Sequence, residues 1–189
     1  MSMTGRQAAA ARTRDNLIET GLRLAERTGL AGLSINLLVE EAGVSKGTFF
    51  HHFGDRATYL VELHRSFHDQ IFNQTLASVG DLPPGRGRLL AAAQLYLDAC
   101  LDQRGVRALL LEARAEQAIA EEIGTRNAQA AELCRPDFEA LGWPHPVQGA
   151  RLWVGLVAEA ALVEYAGGGR DADLRAALAH FISPGDAER

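Results

Sequence analysis

Lysine is almost missing from this sequence. Of its 19 basic side chains, Lys46 is the one lysine and the other eighteen are arginine. Cysteine is scarce too: Cys100 and Cys134 stand 34 residues apart. That spacing excludes the paired ligand pattern of a structural zinc site. Both thiols are expected as small buried hydrophobes, with no disulfide in a reducing compartment. Aromatic residues make up 6% and no apolar/polar alternation of strand period is found, which argues against an all-β fold. No run reaches the ~20 apolar residues of a membrane-spanning helix. The longest candidate, Leu152 to Tyr165, contains Glu159 and Glu164. Arg6 and the alanines after it lack an apolar signal core, so a cytoplasmic location with no membrane association is expected. What the chain does hold is 47% apolar residues, rich in alanine and leucine, which excludes a disordered chain and favours packed helices.

The net charge is −5, unevenly spread. Residues 1–56 carry seven basic and six acidic side chains; residues 57–189 carry twelve and eighteen. A DNA-binding surface needs only a local basic face, so the overall sign does not exclude one.

Punctuation by glycine, proline and capping residues divides the chain into about nine helices, an all-α fold. The first runs from about Ala8 to Thr28, with Leu17, Ile18, Leu22, Leu24 and Ala25 on its core side and Gly29 at its end. Ser34 caps a short helix, Ile35 to Ala42, and Ser45 caps another, Lys46 to His52, across a turn at Gly43. Asp55 caps a fourth, Arg56 to Val79. After Gly80-Asp81-Leu82-Pro83-Pro84-Gly85 come helices over about Arg86 to Gln103, Gly105 to Ala115 and Gln117 to Leu141. Beyond Gly142-Trp143-Pro144-His145-Pro146 lie an eighth, Val147 to Ala166, and a ninth, Ala172 to Ile182. Two functional domains are expected: 1–56, and a helical remainder, 57–189.

Ser34 to Phe53 reads as helix, glycine turn, helix, the layout in which one helix braces another in the DNA major groove. Leu38, Val39, Val44, Phe49 and Phe53 would hold the pair together. The second helix would present its N-terminal N–H groups, the hydroxyls of Ser45 and Thr48, and the ammonium of Lys46. Gly47 would let the backbone approach DNA closely.

This segment resembles the TetR family of one-component repressors, whose pattern is close to T-V-x-x-I-A-x-x-A-G-V-S-x-G-T-L-Y-x-H-F. Ala42-Gly43-Val44-Ser45, Gly47-Thr48, His52 and Phe53 match it, and Ala25-Glu26-Arg27-Thr28-Gly29 resembles the end of the family's first helix. The strong likeness covers about residues 15–60. It implies a dimeric, DNA-binding regulator, not an enzyme, with contacts at Ser34, Ser45, Lys46, Gly47, Thr48, Phe50, His51, His52 and Arg56. Ser34 would meet phosphate; Lys46, Thr48 and His51 would face base edges. Phe50 stands in place of tyrosine, losing a phenolic phosphate bond. Arg56 replaces lysine and keeps the charge, and Val39 replaces a smaller alanine.

Gly43-Val44-Ser45-Lys46-Gly47 also fits the hydrolase pattern G-x-S-x-G, but that motif needs a strand before the serine and here a helix precedes it. His64 and His68, four apart, have a spacing that can bind metal; without a third ligand they read as hydrogen-bonded core or pocket histidines. A helical interaction module without DNA binding is the remaining alternative.

In this family the fourth to seventh helices surround a cavity for a small-molecule effector. The lining candidates are His64, Phe67, His68, Phe72, Tyr96, Cys100, Leu110, Arg114, Phe138 and Trp153. No cofactor and no metal are expected. The eighth helix is apolar nearly all round and must be covered on more than one face. With the ninth it reads as half of a two-fold dimer interface, carried by Gly155, Ala158, Leu162, Leu174, Leu178 and Phe181. The partners implied are a double-stranded, palindromic operator, an effector that releases it, and a second copy of the chain.

Overall fold

The computed structural model describes residues 5–102 and 117–183, and among them every element is helical. There are eight: α1 (Gly5–Gly32), α2 (Ile35–Ala42), α3 (Lys46–Phe53), α4 (Arg56–Val79), α5 (Arg86–Asp102), α6 (Gln117–Ala140), α7 (Pro146–Gly167) and α8 (Ala172–Phe181). The helix expected over Gly105 to Ala115 lies outside the described residues. The helical path of α1 is interrupted at Gly29 (φ 69°) and resumes to Gly32, past the expected end. No described helix is long and apolar enough to cross a membrane.

Two compact units are distinguishable. One takes in the chain through Asp69 together with the start of α6 up to Glu122; the other takes in the remainder of α4, α5, the rest of α6, α7 and α8. In the first, α1 packs on α2 and α2 on α3. Its core is Leu17, Leu24, Leu33, Leu38, Phe49, Tyr59, Leu60 and Leu63, each no more than 1% exposed. Of the residues expected here, Leu22 and Val44 are only half-buried.

In the second unit α5 packs on α7 and α7 on α8. Glu164, expected as a charge interrupting an apolar helix, is buried and ion-paired. It accepts from Arg175 Nε and Nη2 at 2.6 and 2.7 Å and from the Asp171 backbone N–H at 3.0 Å, while Arg175 Nη1 donates to Asp98 at 2.6 Å. The guanidinium thus bolts α8 to α7 and α5, and the buried charges of Glu164 and Arg175 offset each other. Two of the residues assigned to the dimer face turn inward instead: Leu162 and Leu178 are 8% and 5% exposed within the single chain. On α7 and α8 the large apolar side chains left outside are Leu152, Val163 and Phe181, the first 67% exposed. Gly155 is exposed, and Ala158 and Leu174 are half-buried.

Candidate nucleic-acid interface

Three local devices shape the segment from Ser34 to Phe53. Ser34 Oγ accepts from the Leu37 N–H at 3.2 Å and starts α2. Gly43 (φ 67°, ψ 31°) ends it in the left-handed region, with its N–H turned back to Glu40 and Val39 carbonyls. Two residues after Gly43, Ser45 Oγ accepts from the Thr48 N–H at 3.0 Å, lies 2.9 Å from Thr48 Oγ1 and caps α3. A side chain with a Cβ at position 43 would be strained, so the sharpness of the turn depends on glycine.

The rear of α3 is locked. Phe49 and Phe53 are buried against Tyr59 of α4, with ring centroids 5.2 and 4.9 Å from it in edge-on contacts. Tyr59 Oη donates to the Leu17 carbonyl of α1 at 2.9 Å, and burial pushes its phenol well above the ordinary value. Asn16 Nδ2 donates to the Ala42 carbonyl at 3.0 Å, holding the end of α2 to α1. The helix therefore presents one fixed face.

Most of the expected contact residues are open to solvent. Ser34, Ser45, Lys46, Gly47, Phe50 and His51 are exposed; Thr48 and His52 are half-buried. A Cβ at Gly47 would meet only Ser45 Oγ, at 3.6 Å, an ordinary contact. Among the described residues, no close neighbour demands glycine there. Phe50 is 47% exposed and leans edge-on against Phe49 at 5.4 Å, a large apolar group on an otherwise polar face. Arg56 is turned partly inward: Nη2 donates to the Leu30 carbonyl at 3.1 Å, so part of this guanidinium braces the break in α1. The His51 and His52 rings lie 5.5 Å apart. His52 is held below the ordinary imidazole value of 6.5, by burial first, then by His51 and by Arg14.

Arg14 went unnoticed in the sequence. Its Nη1 donates to the His52 carbonyl at 3.1 Å, its Nη2 to Glu62 Oε2 at 2.7 Å, and its guanidinium carbon lies 4.6 Å from the centroid of the Phe53 ring. It satisfies a last-turn carbonyl of α3 and sets a cation at the negative end of that helix. No local pattern marks it, because its partners are 38 and 48 residues away.

The effector candidates fall in both units. His64 and Phe67 are buried, His68 is half-buried, and the two imidazoles lie 4.3 Å apart. Among the described residues no group of three potential ligands could hold a metal ion. In the second unit Phe72 and Tyr96 are half-buried, and Cys100 and Trp153 buried. Phe138 is core: it packs edge-on against Trp143 at 4.9 Å and would be struck by a Cβ on Gly149 at 2.8 Å. Leu110 and Arg114 lie outside the described residues. Burial pushes the thiols of Cys100 and Cys134 up to about 12 and about 11, so both stay protonated and weakly reactive.

Comparison with known proteins agrees with this geometry. Residues 17–63 match the family model of bacterial regulatory proteins, tetR family. The HTH-type transcriptional regulator BetI of Vibrio vulnificus is 33% identical over 70 residues, which is 37% of this chain and 35% of that protein. The match thus spans about a third of the relative's length. Among solved structures, a putative TetR-family transcriptional regulator from Rhodococcus sp. superposes with a TM-score of 0.74 at 19% identity, covering 90% of this chain and 97% of that one. Reduced NemR of E. coli gives 0.70 at 22% identity, covering 90% and 95%. At these identities the structures speak for the fold.

Proposed function

We propose a function on the premise that this chain belongs to the tetR family of bacterial regulatory proteins, helix-turn-helix regulators of transcription. It is a sequence-specific repressor that binds a palindromic operator as a homodimer in the cytoplasm and is released by a small-molecule effector. The observation that carries this reading is α3. Its rear is bolted to α4 through Phe49, Phe53 and Tyr59, while Ser45, Lys46 and Gly47 stand exposed at its free N-terminal end.

Ser34, Ser45 and the first N–H groups of α3 take phosphate. Lys46, Thr48 and His51 face base edges, and Gly47 lets the backbone come close. Phe50, without a hydroxyl to give a phosphate, offers its ring to apolar groups such as a thymine methyl. Leu152, Val163 and Phe181, with Gly155 among them, form the apolar face that a second copy covers. Phe72, Tyr96, Cys100 and Trp153, all in the second unit, contribute to the effector site. Release then requires the effector to favour one posture of the recognition helices over the other.

The test is an electrophoretic mobility shift with genomic fragments, with and without unlabelled specific competitor. Retarded fragments that only the specific competitor displaces support the reading. Retardation that any duplex abolishes equally, or none at all, overturns it.

A further inference from the structure

We propose that Arg14, Glu62, Arg65 and Glu122 form an ion-pair chain that sets the posture of α3 from α6, making Glu122 a positioning residue for operator binding. The proposal rests on the DNA-binding reading for its function, and on geometry alone for its existence. The links are continuous. Glu122, at 9% side-chain exposure, accepts from Arg65 Nε at 3.1 Å and Nη2 at 2.7 Å, a two-pronged pair between α6 and α4. Arg65 Nη1 donates to Glu62 Oε1 at 2.9 Å, one turn back along α4. The other oxygen of Glu62 accepts from Arg14 of α1 at 2.7 Å, and Arg14 reaches the His52 carbonyl at the end of α3. Glu62 divides its two oxygens between two arginines, so what one arginine does is felt by the other.

The chain spans four helices of one compact unit, the one that contains α3 and takes in α6 only as far as Glu122. It runs beside an open groove between α1 and α4, where Asp15, Glu19 and Asp69 add further carboxylates. Arg65 is held above its ordinary value chiefly by its hydrogen bonds to Glu122, with Glu62 and Asp69 adding less. Loss of the Glu122 link leaves Arg65 to Glu62, with Asp69 acting at longer range. Glu62 is then drawn along α4, and Arg14 loses the anchor that aims it at His52. The planar fork of Arg14 matters here, because a lysine cannot serve the Glu62 carboxylate, the His52 carbonyl and the Phe53 ring at once.

Charge alone predicts the opposite sign. Removing a carboxylate from a DNA-binding protein lowers its repulsion for phosphate, and should leave affinity unchanged or raise it. If the ion-pair chain positions α3, Glu122→Gln weakens specific binding by about 3–5-fold, the upper end of what a partly exposed ion pair is worth. Binding to an unrelated duplex stays within about twofold, because phosphate contacts tolerate a shifted helix better than base contacts. Arg14→Lys, which conserves charge, gives the same loss, and Glu122→Gln adds little in that background.

The experiment uses the full chain in four forms: the parent, Glu122→Gln, Arg14→Lys and the double variant. It measures Kd for a selected operator and for an unrelated duplex, with melting by circular dichroism to confirm folding. Hydrogen exchange at Phe50 to Phe53 is followed without DNA. Faster exchange in both single variants, with the losses above, supports the proposal. Unchanged exchange in a folded Glu122→Gln protein overturns it, as does operator binding at parental strength or tighter. A parent that prefers no duplex overturns the DNA-binding reading instead, and the exchange rates still decide whether the ion-pair chain holds α3.

Discussion

Gly21 sits inside α1, where alanine would ordinarily strengthen a helix by about 1 kcal/mol. Here the substitution should do the reverse. A Cβ at this position would stand 1.8 Å from Tyr59 Oη, 3.0 Å from Tyr59 Cζ and 3.1 Å from Leu63 Cδ1. Tyr59 has nowhere to retreat: it is fully buried, its hydroxyl donates to Leu17, and its ring is wedged between Phe49 and Phe53. Overpacking a filled core costs about 1–3 kcal/mol. Breaking the buried Tyr59 hydrogen bond costs about 1–3 kcal/mol more. Set against the helix gain, Gly21→Ala should destabilise by about 3 kcal/mol, lowering Tm by about 6–12 °C for a chain of this size. The displaced ring must also push on Phe49 and Phe53, so operator affinity should fall with stability. A double-mutant cycle by thermal denaturation isolates the cause. In a Tyr59→Phe background the 1.8 Å overlap is gone, and Gly21→Ala should cost at least about 1 kcal/mol less than in the parent. A Gly21→Ala protein that melts at or above the parent temperature would refute the close approach of α1 to α4 from which this follows.

Lys46→Ala should reduce the slope of log K against log salt by about one unit, equally on all sequences, if the ammonium meets only phosphate; an unchanged slope and affinity removes Lys46 from the interface. Lowering the pH should tighten operator binding by about 2–10-fold as His52, held below 6.5 in the free protein, takes up a proton in the phosphate field. The stability contribution has the opposite sign, since a depressed imidazole stabilises above 6.5 and loses that contribution as pH falls; titration of affinity in the parent and in His52→Gln checks this, and equal pH dependence in both contradicts it. Leu152→Glu, placed on the exposed face of α7, should dissociate the proposed dimer while leaving the fold intact. Sedimentation of that variant as an undiminished dimer would move the interface elsewhere.

The short-range features were the legible ones. Ser34, Gly43 and Ser45 announce their roles locally, because a cap or a left-handed turn is decided within four residues, and the structure places all three as the sequence implies. Side chains whose partners are distant were not legible. Glu164 reads as a flaw in an apolar helix until Arg175 is seen across from it, and Arg14 reads as one arginine among eighteen. On α8, Leu174, Leu178 and Phe181 follow one another at helical spacing, so periodicity assigns them to one face. Packing divides them: Leu178 is buried against its own chain, and Phe181 is 58% exposed. A ridge of spacing cannot say which neighbour, the chain itself or a second copy, will cover each member.

The central claim, that α3 reads a specific duplex in the context of a two-fold dimer, is tested most directly by selecting genomic fragments on the purified chain and sequencing what is retained. One enriched inverted repeat is expected, with half-sites about one turn apart (~34–36 Å) or more, as protein two-fold symmetry requires. Retained fragments that share no inverted repeat would contradict it.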